Sequence, residues 1–301
     1  MKSGILIMDK QAGMTSFDVI ARVRALTGQR KIGHGGTLDP MATGVLPLFL
    51  GAATKAQDLC DDKRKRYTAT VRLGCKTDTG DVTGTVKENK PVGCTQRELE
   101  EAIQSFIGVS RQLPPMYSAV KVGGRRLYTL ARKGMEIERT PREIEIHQID
   151  ILNMDLSGRT MTLDVLCSAG TYIRTLCEDI AERAGTLACL GALRRTLSNT
   201  FAINDALTLE AVGQAVECGR LEDLLIPVSS LFCNLPIVRL EEDQARMFRD
   251  GRVLECSRIR DLPESHGRVA VWQASQMLGL GRAEDGLFKK TWHYPVEDND
   301  T

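Results

Sequence analysis

Aromatic residues make up only 5% of this 301-residue chain, and its formal net charge is only +1. With so few rings, the core must be built from aliphatic side chains. No apolar run approaches the roughly 20 residues of a membrane-spanning helix; among the longest is 45–53, which Pro47 and Gly51 interrupt. The apolar stretch 4–8 is too short for a signal-peptide core, and no small-residue cleavage site follows it. Nine cysteines, an odd number, include no Cys-x-x-Cys pair. That pattern excludes a disulfide scaffold and reads as reduced, mostly buried thiols in a cytoplasmic protein. The four histidines have no His or Cys partner at metal-ligand spacing, so neither a metal nor a cofactor is expected.

What the chain does have is charge in the wrong proportions locally. Residues 22–90 carry 13 Lys/Arg against 7 Asp/Glu, and residues 111–142 carry 8 against 2. Residues 236–301 carry 10 against 12, so the excess is confined to two stretches. This suggests a local polyanion-binding surface, although solvated charged faces are the commoner origin of any one charge run and outweigh this signal taken alone.

The element pattern predicts a strand over 3–8 and a helix capped by Thr15-Ser16, with Phe17, Ile20 and Val23 on its apolar side and Gly28 at its end. Residues 33–44 are too glycine-rich for a helix or central strand and read as a loop. Residues 66–74 alternate, with Tyr67, Ala69, Val71 and Leu73 on one face. Thr95-x-x-Glu98 is a capping box for a helix predicted to run to Phe106. Two further strands are expected over 143–152 and 159–167, then a helix entered through Gly170–Arg174 and stopped at Gly185. Strands and helices mix without βαβ spacing, which predicts an α+β fold with a mixed, largely antiparallel sheet. After Pro236, short apolar stretches separated by Gly, Pro and acidic turns predict a small β-rich module over 236–296, appended to a domain of residues 1–232.

The glycine-rich loop is no nucleotide cradle: Leu38 stands where a dinucleotide fingerprint needs glycine, and the chain has no Gly-Lys dipeptide. It does offer one carboxylate, Asp39, held toward an extended backbone by Pro40. A plain Asp-Pro turn is the bland alternative. Asp78-Thr79-Gly80-Asp81 looks like the start of a calcium loop, but Val82 takes a ligand position and Asn89 replaces the bidentate Glu. A turn between two strands is expected there.

Lys10–Ser16 (KQAGMTS) and Gly33–Pro47 (GHGGTLDPMATGVLP) closely resemble the bacterial tRNA pseudouridine-55 synthase family. The likeness continues through Lys63-Arg64-Lys65-Arg66-Tyr67, Thr77–Asp81, Pro114–Lys121, Gly170–Arg174 and Leu193-Arg194-Arg195, in family order. More weakly, the tail resembles the family's PUA-type RNA-binding module. The resemblance implies conversion of uridine 55 in the T-arm loop of tRNA to pseudouridine by a protein acting without a partner chain, as a monomer. It makes Asp39 the catalytic aspartate, Tyr67 the tyrosine against the target base, Arg174 the arginine paired with the aspartate, with Tyr172 beside it, and Leu193 an apolar wall. Lys10 and His34 resemble residues at the RNA site. Lys55, Lys63, Arg64, Lys65, Lys121, Arg125, Arg126 and Arg132 are candidates for the RNA backbone, the last four in a basic insertion over 111–142 that resembles an RNA-gripping loop. Two departures stand out. Gln11 replaces a common proline, and Asn199 occupies a place where many relatives have glycine, which asparagine can match in the left-handed conformation.

The reaction so implied breaks the C1′–N1 bond, rotates the uracil and rejoins it through C5, which needs one carboxylate, an apolar pocket and no redox partner. Attack at C1′, addition to C6 and base catalysis all remain open to Asp39. A neighbouring Arg174 would favour its ionised form. Flipping a base from a folded arm costs a few kcal/mol, which phosphate contacts can offset. The competing readings are a non-catalytic tRNA-binding or remodelling protein and a guide-RNA-dependent relative within a multiprotein particle. A simple glycosidase would need a second carboxylate at the bond.

Overall fold

The computed structural model describes residues 2–60, 62–118, 120–131, 133–263 and 267–294, and leaves the side chains of Lys121 and Arg126 undescribed. β1 (Gly4–Lys10) is apolar on both faces because both are covered: Leu6 and Met8 enter one core, Ile5 and Ile7 another. Thr15 and Asp18 form a reciprocal capping box for α1 (Ser16–Thr27), and Gly28 ends it at φ 69°. The buried stripe is Ser16, Val19, Ile20 and Val23, spaced i, i+3, i+4, i+7. Phe17 falls off that stripe and is 63% exposed, with the Arg24 guanidinium over its ring, contrary to the face expected from the sequence.

β2 (Ile32–His34) and β3 (Thr43–Leu50) flank the glycine-rich loop. β4 (Lys65–Leu73) alternates as expected, burying Tyr67, Ala69, Val71 and Leu73. β5 (Cys75–Thr77) and β6 (Val86–Asn89) form a hairpin whose connection contains the Asp78–Asp81 turn. The Thr95–Glu98 box caps α2 (Gln96–Gln104), which is shorter than predicted; Ser105 ends it, and Gly108, at φ 109°, opens β7 (Gly108–Gln112). In the basic insertion β8 (Lys121–Val122) and β9 (Arg125–Arg126) turn through Gly123 and Gly124, both at positive φ, into α3 (Leu127–Ala131). β10 (Arg142–Asp155) and β11 (Thr160–Cys167) lead to α4 (Ile173–Arg183), then to β12 (Ala188–Ser198), β13 (Phe201–Ala202) and α5 (Leu209–Glu217). Asn199, in the β12–β13 turn, does adopt the left-handed conformation, at φ 61°.

The main sheet runs β1-β3-β12-β4-β11-β10-β7, with β2 beside β3 and β13 beside β12. Its ladders are antiparallel except at one seam, where β12 runs parallel to β3 and pairs Arg195 with Gly44. On its other side β12 places Arg195 opposite Tyr67 and Leu193 opposite Ala69. The seam therefore gathers the end of the glycine-rich loop, Tyr67 and Leu193 in one place. Helices α1, α2, α4 and α5 bury one face of the sheet in an aliphatic core.

A second sheet packs against the opposite face of β1 and β3. It holds β14 (Ile237–Arg239), β15 (Leu254–Glu255), β16 (Arg268–Gln273), β17 (Gln276–Glu284) and β18 (Leu287–His293), with α6 (Glu242–Arg249) before β15. It has a core of its own around Val238, Phe248, Val271 and Phe288. Ala270, Met277 and Leu280 meet Ile5, Ile7, Val45 and Phe49 of the main sheet. The fold is α+β, with a β-rich C-terminal unit. Among the described residues no helix is long and apolar enough to cross a membrane.

Candidate active site

Asp39 sits in the loop between β2 and β3, and that loop is fastened at every stage. Leu38 is its buried anchor: its N–H donates to the Ser16 hydroxyl, which donates to the Leu38 carbonyl. The Pro40 carbonyl accepts from the Gly13 N–H at 2.9 Å and from Lys10 Nζ at 3.2 Å. The Asp39 carbonyl accepts from the Ala42 N–H. At the loop's end only glycine fits at position 44: its φ is 102°, and a Cβ there would lie 2.2 Å from the Arg195 carbonyl oxygen. These bonds fix the backbone that carries Asp39.

The carboxylate meets one cation directly. Arg174, in the first turn of α4, places Nε 2.9 Å from Asp39 Oδ2. Its other nitrogens donate to the Thr79 and Tyr117 carbonyls, each at 2.7 Å, and Nη1 lies 3.8 Å from Oδ2 of the buried Asp81. The arginine is thus oriented from both sides, by the β5–β6 connection and by the root of the basic insertion. Asp81 is held in turn by the Thr79 and Thr83 hydroxyls and the Thr83 N–H. Burial pushes the Asp39 carboxyl above its ordinary value, against the pull of Arg174 and Lys10 and with the help of Asp81's negative charge. The attraction of Arg174, expected to favour the anion, is outweighed by desolvation.

Tyr67 is buried, its phenol pushed above the usual value by desolvation while the positive charge of Arg195 pulls it back. Leu193 is buried in the same aliphatic cluster as Leu38 and Tyr67, and its carbonyl accepts a long bond from the Thr43 hydroxyl. The structure thus brings Asp39, Arg174, Tyr67 and Leu193 together. The backbone of Tyr172, the N-cap of α4, is clamped by the buried Gln112 side chain, which accepts from its N–H and donates to its carbonyl. His34 lies half-buried on β2, opposite Leu48.

One expected RNA-backbone contact is corrected. Lys65 is buried, and its Nζ donates to Ser198 Oγ at 2.8 Å and to Asn199 Oδ1; the alternation of β4 turns it inward with Tyr67, away from solvent. Desolvation lowers its ammonium pKa to about 7. Lys10, expected at the RNA site, is buried beside Asp39, its Nζ donating to the carbonyls of Gln11, Met14 and Pro40, so that it fastens the loop. Lys55, Lys63, Arg64 and Arg125 are exposed, Arg64 in a two-pronged pair with Asp62. Arg132 and the side chains of Lys121 and Arg126 lie outside the described residues.

Ser16, Asp81, Gln112 and Arg195 had no role at the site assigned from the sequence. Asp81 and Arg195 lie within the family-like motifs Thr77–Asp81 and Leu193–Arg195, which was the available signal. Among the described residues no three His, Cys, Asp or Glu side chains gather as a metal site.

Residues 24–173 match the description "TruB family pseudouridylate synthase (N terminal domain)", and residues 174–232 match "tRNA pseudouridylate synthase B C-terminal domain". The chain belongs to this pseudouridylate synthase family. It is 46% identical to tRNA pseudouridine synthase B of Ralstonia nicotianae over 294 residues, covering 95% of this chain and 92% of that one. The counterpart in Burkholderia lata is 42% identical over 286 residues, 94% and 88% of the two chains. Among solved structures, a chain in a Cbf5-Nop10-Gar1 complex is 27% identical, with a TM-score of 0.71 over 93% of this chain and 78% of that one. A chain of an H/ACA RNP bound to a substrate RNA shares the fold at TM-score 0.73 and 22% identity, over 98% of this chain and 86% of that one.

Proposed function

We propose that this synthase isomerises uridine 55 in the T-arm loop of tRNA to pseudouridine, acting in the cytoplasm as a monomer without a partner protein. The observation that carries the reading is the state of Asp39: a loop carboxylate 36% exposed, with one oxygen taken by an arginine that is 5% exposed. Arg174 holds Oδ2, which leaves Oδ1 for the nucleotide. The supporting likeness is to tRNA pseudouridine synthase B chains at 42–46% identity, well above that to the chain of the Cbf5-Nop10-Gar1 complex.

The residues then divide the work. Asp39 is the group that meets the reacting nucleotide, near the sugar and the uracil ring. Tyr67 and Leu193 confine the detached uracil so that it rotates without escaping. Arg174 keeps the carboxylate aimed and stabilises its charge. The exposed cations Lys55, Lys63, Arg64 and Arg125, with Lys121, Arg126 and Arg132, meet phosphates and offset the cost of base flipping. Residues 1–232 form the catalytic domain, and 236–296 an RNA-binding module of the PUA type.

The test is to incubate the purified chain alone with an unmodified tRNA transcript and map pseudouridine. One product at position 55 is expected. Binding without product would favour the tRNA-remodelling reading, and activity only with added guide RNA and proteins would favour the particle.

A further inference from the structure

Beneath the glycine-rich loop lies a cation to which none of the preceding chemistry assigns a role. Arg195 is 1% exposed and heads the fully buried large side chains of the molecule. Its Nε donates to the Val45 carbonyl at 2.7 Å, its Nη2 to Gly36 at 3.1 Å and its Nη1 to Thr37 at 3.4 Å. Gly36 and Thr37 precede Leu38-Asp39, and Val45 follows Gly44, so one guanidinium ties the two ends of the loop. Across the β4–β12 ladder Arg195 stands directly opposite Tyr67, whose phenol feels its positive charge. Its own backbone crowds Gly44 from the parallel seam.

Burying a full charge is expensive, and a loop could be closed more cheaply by apolar packing. What apolar packing cannot do is aim several acceptors at once. A planar guanidinium offers donors in a rigid fork, whereas a lysine ammonium is a single point that reaches fewer of these carbonyls.

We propose that Arg195 is a positioning residue that locks the Asp39 loop onto the strand paired with Tyr67, so that the carboxylate and the pocket wall are registered to each other. Arg174 sets the direction of the carboxylate; Arg195 sets the backbone that carries it. Misplacement of a reacting group by about 1 Å costs about a hundredfold in rate, so loosening the loop should slow the chemical step far more than it weakens RNA binding.

This inference rests on reading Asp39 as the catalytic carboxylate, and the experiment separates the two. Single-turnover rates at saturating T-arm stem-loop RNA, RNA affinity and thermal unfolding are measured for the parent, Arg195→Lys, Arg195→Met and Asp39→Asn. The expected result is a folded Arg195→Lys protein whose affinity is within about threefold of the parent and whose rate at saturation falls at least tenfold, with Arg195→Met slower still. An active Asp39→Asn variant overturns the reading of the site. With Asp39→Asn inactive, a folded Arg195→Lys at the parental rate overturns the positioning role. So does a loss confined to affinity. Failure of both Arg195 variants to fold assigns the arginine to packing and overturns it as well.

Discussion

Asp39 Oδ2 and Arg174 Nε lie 2.9 Å apart, but the two side chains face opposite situations: the carboxylate is 36% exposed and the guanidinium 5%. Arg174 is held by the Thr79 and Tyr117 carbonyls and faces Asp81, so it has no freedom to follow a substrate. A fixed cation beside a reachable anion aims the anion without blocking it. Because burial raises the Asp39 carboxyl, the ionised form carries a cost in the folded protein that is absent in the unfolded chain.

Asp39→Asn is expected to lower turnover at least a hundredfold, a barrier increase of about 2.7 kcal/mol, even at saturating RNA. Its unfolding temperature at neutral pH should equal or exceed the parent's. The sign follows from linkage: a raised carboxyl destabilises the fold once pH rises through the folded value, and the amide removes that cost. The two unfolding curves should converge as pH falls below the carboxylate range. Thermal melts from about pH 3 to about pH 8, alongside single-turnover assays, check both halves; a variant much less stable at neutral pH would contradict the linkage.

Lys65 has the opposite sign. Its ammonium is lowered to about 7 in the fold against 10.5 ordinarily, so the unfolded chain binds the proton more tightly over that window. Stability contributed by this residue should rise as pH increases through about 7 and upward. Urea unfolding at pH 6, 7, 8 and 9 (about one unit apart) should show a steeper rise for the parent than for Lys65→Met. Parallel curves would mean that the ammonium is better solvated than its Ser198 and Asn199 partners imply.

Tyr67→Phe keeps the ring and removes only the hydroxyl, which lies under the influence of the Arg195 charge. We expect a folded protein, RNA affinity within about threefold and a rate at saturation reduced at least tenfold. Tyr67→Ala additionally opens a cavity, which in a core costs about 3–5 kcal/mol for a large aromatic residue. It should therefore lower both rate and melting temperature. A Tyr67→Phe variant at parental rate would reduce Tyr67 to a wall of the pocket.

The basic hairpin is tested through salt. Every cation removed from a phosphate should reduce the slope of log affinity against log salt by about 0.7–0.9. Replacing Arg125, Arg126 and Arg132 together should weaken and flatten binding, with turnover largely restored at saturating tRNA. An unchanged slope would leave these arginines as a solvated face and move the RNA path to Lys55, Lys63 and Arg64.

Local structure was readable in the chain because it is set by neighbours in sequence. Thr15 caps α1 and Thr95 with Glu98 closes a capping box within four residues, Gly28 and Asn199 take left-handed backbone that a missing Cβ or a short polar side chain permits, and residues 67–73 alternate with the pleat. Motif order was enough for the family. The same reasoning misjudged Phe17, because an apolar residue one step off the stripe of α1 counts as part of it until the packing surface is known.

Long-range relationships were another matter. The basic run Lys63–Arg66 looks uniform in sequence, yet β4 starts inside it and turns Lys65 into the core, where Asn199 supplies an acceptor. Lys10 reads as a free cation until the turn after β1 wraps its ammonium in three carbonyls. Asp81 and Arg195 gained their roles only when α4 carried Arg174 to the β5–β6 connection and β12 ran parallel to β3. Sequence alone determined the first two helices, the alternating strands, their caps and the family, since those depend on local backbone preference and residue order. Tertiary structure decided which charges are buried and what each one holds, because desolvation and hydrogen-bond geometry exist only once distant segments meet.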